Sequence, residues 1–168
     1  YDGLQGKSAR NEGEGMQLIL RVVQDAENVR HSLSALTDGQ GHVLNEIELY
    51  RQHYVEHSVK YNPAAYGGAA SLPRCFYPDA LIPITASEKE YADTSRCNIA
   101  AGENGGFWIT VWVPKDQPAG LYTGTLTVTY DENGRVEIPV CFEVWDITLP
   151  DAPSIKTAFA LWDVAGFY

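Results

Sequence analysis

The chain has 168 residues, 45% of them hydrophobic and 20% charged, with a net charge of −10. That length suits one ordinary domain with a real core. The negative balance argues against nucleic acid, whose phosphates demand a basic patch, and against an anionic membrane surface, while no apolar run is long enough to cross a bilayer.

Ten tyrosines and four tryptophans against one methionine favour a β-rich chain, because aromatic side chains fit pleated surfaces. The first strand is predicted over Gly15–Val23. Met16, Leu18, Leu20 and Val22 share one face there, and Gln17 and Arg21 the other. Arg10, Asn11, Glu12 and Glu14 stand before it, to be read as a solvated edge, then as an internal salt bridge, and only third as a ligand site. A second strand is expected over Val29–Thr37, with Val29, Leu33 and Ala35 on one face. A turn follows at Asp38-Gly39-Gln40-Gly41. The third, Glu46–Lys60, puts Ile47, Leu49, Val55 and Val59 on one face, and its length implies a bulge or a change of sheet.

Residues 61–81 break the pattern. Proline, glycine and alanine dominate, and the segment is expected to be a long ordered loop. Tyr66, Phe76 and Tyr77 on it are candidate anchors for an inter-domain or glycan contact. The strongest β signal is Phe107–Trp145. Phe107–Val113 alternates strictly, residues 114–120 form a turn, and Tyr122, Leu126 and Val128 oppose a row of threonines. Asp131-Glu132-Asn133-Gly134 closes a hairpin, with the glycine supplying positive φ. Val136, Ile138, Val140, Phe142 and Val144 make the next apolar face. Leu149–Pro153 reads as a boundary, and Ile155–Trp162 as a new strand that starts another domain.

Short strands with proline and glycine turns, and few helical patterns, give an all-β chain: an antiparallel β-sandwich, immunoglobulin-like or jelly-roll-like. The division is 1–150 for the sandwich and 151–168 for a linker and the first strand of a downstream domain. Residues 154–168 carry Phe159, Leu161, Trp162 and Phe167, so this end is expected to be poorly anchored without a partner to bury them.

Signatures of chemistry are sparse. No P-loop, dinucleotide glycine motif or G-x-S-x-G elbow is present, and no cofactor is implied. His53 and His57 lie in a strand, about 13 Å apart at ~3.3 Å per residue, too far to share one ion. Asp131 and Glu132 sit at an exposed tip where nothing would desolvate a general acid, so they are assigned to the turn. No catalytic or metal-ligating residue is expected. Cys75, Cys97 and Cys141 include no C-x-x-C pair, which leaves either one disulfide and one thiol or three buried thiols. Trp108, Trp112 and Trp145 fall opposite the main apolar rows. Outward aromatics either dock a neighbouring domain, the favoured reading, or stack on sugar rings.

Four segments carry a resemblance. Ala9-Arg10-Asn11-Glu12-x-Glu14-x-x-Gln17, Tyr77-Pro78-Asp79-Ala80-Leu81-Ile82-Pro83, Phe107-Trp108-x-x-Val111-x-Val113-Pro114-Lys115-Asp116-x-Pro118-Ala119-Gly120-x-Tyr122-x-Gly124 and Val144-Trp145-Asp146-x-x-Leu149-Pro150 resemble, in that order, the N-terminal domain of bacterial proteins related to glycoside hydrolase family 123. The resemblance implies a β-sandwich followed by a (β/α)8 barrel that performs substrate-assisted exo-β-N-acetylgalactosaminidase chemistry with an Asp-Glu pair on the barrel. It implies a bacterial protein at the cell surface, in the periplasm or secreted. By this reading the chain is a non-catalytic accessory domain whose partner is the downstream barrel, with glycans as a further candidate partner. The alternatives are a carbohydrate-binding module and an immunoglobulin-like adhesion or scaffold domain. An accessory domain should show an apolar patch near residues 61–81 or 145–168; a sugar-binding module should show an exposed aromatic platform ringed by polar groups.

Overall fold

A computed structural model describes residues 3–57, 75–85, 93–152 and 154. Among them there are eleven strands and no helix: β1 Leu4–Arg10, β2 Glu12–Arg21, β3 Ala26–Leu33, β4 Leu36–Thr37, β5 Val43–Leu44, β6 Ile47–His57, β7 Cys75–Pro83, β8 Cys97–Ile99, β9 Asn104–Val113, β10 Gly120–Tyr130 and β11 Gly134–Thr148. No helix long and apolar enough to cross a membrane occurs among these residues. One sheet runs β1-β11-β10-β3-β8, with β4 beside β10 and β5 beside β4. The other runs β2-β9-β6-β7. The β-sandwich is therefore as expected, with one parallel pair, β1 against β11.

The core lies between the layers and follows the period of two. Ile109, Val111 and Val113 of β9 face Tyr122 and Leu126 of β10 and Val140, Phe142 and Val144 of β11, all buried. Each such side chain contributes roughly 1.5–3 kcal/mol by leaving water. A second cluster gathers Ala26, Val29, Ile99, Phe107 and Val128. Beside it, His31 is buried with its ring centroid 4.3 Å from that of Phe107.

Several local expectations change. The first strand is β1, over Leu4–Arg10, and Glu12 and Glu14 lie inside β2 rather than ahead of it. The second expected strand splits into β3 and β4, and Ala35 is exposed between them. Cys75–Leu81 is not loop: it lies in β7 and pairs antiparallel with β6, and the two prolines of that strand, Pro78 and Pro83, are tolerated because β7 is an edge strand. The β6–β7 register shifts between Gln52 and Tyr54, but the extra residue is on β7, where Asp79 and Ala80 oppose His53 alone, and not on the long strand β6 as expected. Val55 is 45% exposed, unlike Ile47 and Leu49, which pack against the core. Val136 is also exposed, although Val128 paired with it on β10 is buried. At the β10–β11 hairpin the positive φ belongs to Asp131, at 51°, not to Gly134. Asp131 Oδ1 accepts from the Glu27 N–H at 2.7 Å, so its job is to hold the start of β3. Tyr66 and the rest of 58–74 lie outside the described residues, as do Val59 and the strand expected over Ile155–Trp162.

Candidate functional site

Two places on the surface are built by more than packing. The first is the corner from which the chain leaves the sandwich. Asn11, at φ 62°, turns the chain from β1 in one sheet to β2 in the other. Glu12 secures the turn: its Oε2 accepts from the Ala9 N–H at 2.9 Å and from Ser8 Oγ at 3.1 Å. Arg10 then reaches the far end of the chain. Its Nε donates to Thr148 Oγ1 at 2.9 Å and its Nη2 to Asp146 Oδ1 at 2.6 Å, while its carbonyl accepts from the Leu149 N–H at 2.9 Å. Asn11 Nδ2 donates to the Leu149 carbonyl at 3.0 Å, and Lys115 pairs with Asp151. The pair with Lys115 holds the Asp151 carboxyl below its usual range. Of the readings open for Arg10, the internal ion pair is the one formed.

β11 runs past the start of β10, since Gly120 pairs with Val144. Trp145, Ile147 and Leu149 beyond that point are exposed, Ile147 to 57%, and Leu121 beside them is exposed as well. An apolar patch therefore surrounds the clamped exit, on the outer face of the larger sheet.

The second place is the outer face of the smaller sheet. Trp112 stands opposite Gly13 in the β2–β9 register, and Trp108 stands opposite Gln17, four pairs along on the same face. Both rings lie down on β2. A Cβ placed on Gly13 would sit 2.6 Å from the Trp112 ring, and one on Gly15 only 2.3 Å from the Trp108 ring. Only glycine allows such close approach. Trp112 keeps 48% of its surface exposed, and Trp108 is half-buried. Glu48 of β6 lies alongside: its Oε2 accepts from Trp112 Nε1 at 3.0 Å and from the Tyr50 hydroxyl at 2.8 Å. The bonds from Trp112 and then Tyr50 hold the Glu48 carboxyl below its usual range, and the same Glu48 bond raises the Tyr50 phenol. Gln17 Nε2 donates to Gln52 Oε1 at 3.0 Å on the same face.

The three tryptophans are thus not one row. Trp108 and Trp112 share a face, and Trp145 stands on the opposite layer. Phe76, at 64%, is exposed on β7 and Tyr77 is half-buried. Glu48, Tyr50, Gln17 and Gln52 escape the sequence reading because it weighs apolar rows. Their signal is the parity of the polar positions on β2 and β6.

Elsewhere the chemistry is thin. A cavity of about 460 Å³ opens beside Arg51, His53 and Cys97. Burial pushes the Cys97 thiol up, which keeps it protonated and unreactive. Cys97 and Cys141 are free, so no disulfide joins them. Among the described residues no three His, Cys, Asp or Glu side chains are placed to hold one metal ion.

The sequence pattern of the glycoside hydrolase 123 N-terminal domain matches residues 4–130. Among solved structures, a family 123 glycoside hydrolase from Clostridium perfringens, described for glycolipid glycan hydrolysis, superposes with a TM-score of 0.68 at 19% identity, over 87% of this chain. The chain spans 23% of that enzyme's length. The sporulation control protein Spo0M from Bacillus subtilis aligns with 82% of the chain and 44% of its own, at 10% identity and a TM-score of 0.37. No curated protein matches the chain.

Proposed function

The chain belongs to the glycoside hydrolase 123 N-terminal domain family, and from that premise we propose that it is a non-catalytic accessory domain, 1–150, supporting a catalytic barrel downstream in the same polypeptide. The observation that carries this reading is the clamped exit. Arg10, Asn11 and Lys115 fix the direction in which the chain leaves, and Trp145, Ile147 and Leu149 present apolar surface where it does so. A flexible linker needs neither. A rigid joint needs both, because a domain interface loses its orientation unless packing and polar contacts agree. The barrel's substrate in this reading is a β-N-acetylgalactosaminide on an extracytoplasmic glycan, a choice supported by family likeness alone.

The test is to replace Trp145 and Ile147 by serine in the intact polypeptide and in the 168-residue chain. In the intact protein the sandwich should unfold several degrees earlier, as the coupling to its neighbour is lost; about 1 kcal/mol corresponds to ~2–4 °C at this size. In the 168-residue chain the same change should leave Tm almost unmoved, because both side chains are already exposed. An equal loss in both would assign the patch to the sandwich itself. Separately, the purified 168-residue chain is expected to leave aryl N-acetylgalactosaminides unhydrolysed, and reproducible turnover would overturn the non-catalytic reading.

A further inference from the structure

We infer that the outer face of the β2-β9-β6-β7 sheet is a binding site for a neutral oligosaccharide, with Trp108 and Trp112 as its stacking platform and Glu48 as its polar anchor. This goes beyond the accessory role and does not rest on it: the platform and the exit patch lie on opposite layers of the sandwich.

The geometry argues for a sugar. Gly13 and Gly15 are two residues apart on one strand, about 6.6 Å at ~3.3 Å per residue. The two indoles therefore form a strip lying against the β2 backbone, with about half of the Trp112 surface open to solvent and Trp108 less exposed. A pyranose has the matching shape: an apolar face of C–H groups and a rim of hydroxyls. The rim finds its partners at the edge of the strip. Both bonds to Glu48 fall on Oε2, and among the described residues nothing donates to Oε1. That oxygen is an ionised acceptor aligned by two donors, ready for a sugar hydroxyl. The Gln17–Gln52 amide pair offers a donor and an acceptor beside Trp108.

A protein partner fits less well. Docking would bury Glu48, and charged residues are depleted at the cores of protein interfaces because their desolvation is costly. A hydroxyl-bearing ligand meets the charge with hydrogen bonds instead. The net charge of −10 likewise disfavours an acidic glycan in favour of a neutral one.

The experiment follows the indole N–H signals of the 168-residue chain by NMR while lactose and N,N′-diacetylchitobiose are added. The Trp108 and Trp112 signals should shift saturably with at least one of the two, and the Trp145 signal should not. Trp112→Ala, whose ring is half-exposed, should keep the folded spectrum and weaken binding at least tenfold. Gly15→Ala keeps both indoles but lifts Trp108 off the strand, and it should also weaken binding; this separates a seated platform from mere aromatic content. No saturable shift up to the solubility limit of either sugar overturns the inference, as does equal binding by Trp112→Ala. If Trp112→Ala instead uncouples the unfolding of this domain from its neighbour in the intact polypeptide, the face is a docking surface and the glycan site falls.

Discussion

Replacing Tyr122 by alanine is expected to cost the domain about 3–5 kcal/mol, a large part of the ~5–15 kcal/mol that holds a domain of this kind together. Tyr122 is completely buried in the main core. Its ring fills the space between the layers, and its hydroxyl acts at a distance from it. The hydroxyl donates to the Pro118 carbonyl at 2.7 Å and accepts from Gln117 Nε2 at 2.9 Å. Gln117, itself buried, also donates to the Val43 carbonyl at 3.2 Å. One tyrosine therefore ties the 114–120 turn and β5 to the core, as a tyrosine corner does in other sandwiches. Tyr122→Phe isolates the polar share: the ring stays, Gln117 and Pro118 lose a partner, and about 1–3 kcal/mol should go. Urea unfolding of the two variants measures both. A loss below about 1.5 kcal/mol for the alanine variant would contradict the packing described, since a buried aromatic removed from a close-packed core leaves a cavity.

Acid should weaken the domain through His31. Its ring lies against Phe107, neither ring nitrogen has a hydrogen-bond partner, and burial lowers its pKa to about 4. In the unfolded chain the imidazole titrates near its ordinary 6.5. Above that pH both states are neutral and the residue has no effect. As pH falls from about 6.5 toward 4 the unfolded state takes up a proton that the folded state refuses, so stability declines, by about 3 kcal/mol in all. Asp38, Glu48, Asp93 and Asp151 are held below the usual carboxylate range and lose their own contributions at lower pH still. A comparison with His31→Phe cancels them. The variant should equal or exceed the parent at neutral pH, because two orphaned nitrogens leave the core, and its urea midpoint should stay level between pH 7 and 4.5. His31→Leu serves if phenylalanine overpacks the site. Parallel pH profiles for parent and both variants would show that His31 is not the acid-sensitive group.

Where one face of a strand is buried, the sequence alternates and the strand is legible; β9 and β10 were readable residue by residue for this reason. β1 was not, since Leu4-Gln5-Gly6-Lys7-Ser8-Ala9-Arg10 carries almost no apolar row, and its place comes from parallel pairing with β11. β7 was hidden by Pro78 and Pro83, which only an edge position tolerates. His31 shares parity with Val29 and Leu33 and could have been placed inside on that ground. What makes it acid-sensitive, the lack of any partner, is a property of its neighbours in space.

By itself, then, the sequence determined the all-β sandwich, its main buried rows and its family likeness, because period and turn chemistry are local. Only the tertiary structure decided that Arg10 meets Asp146, that Trp112 lies on Gly13 beside Glu48, and that Trp145 stands apart from the other two tryptophans. Alternation tells which face of a strand a side chain takes. Which strand lies beside it, and in what register, is set by pairing across the sheet, where residues more than a hundred positions apart in the chain become neighbours.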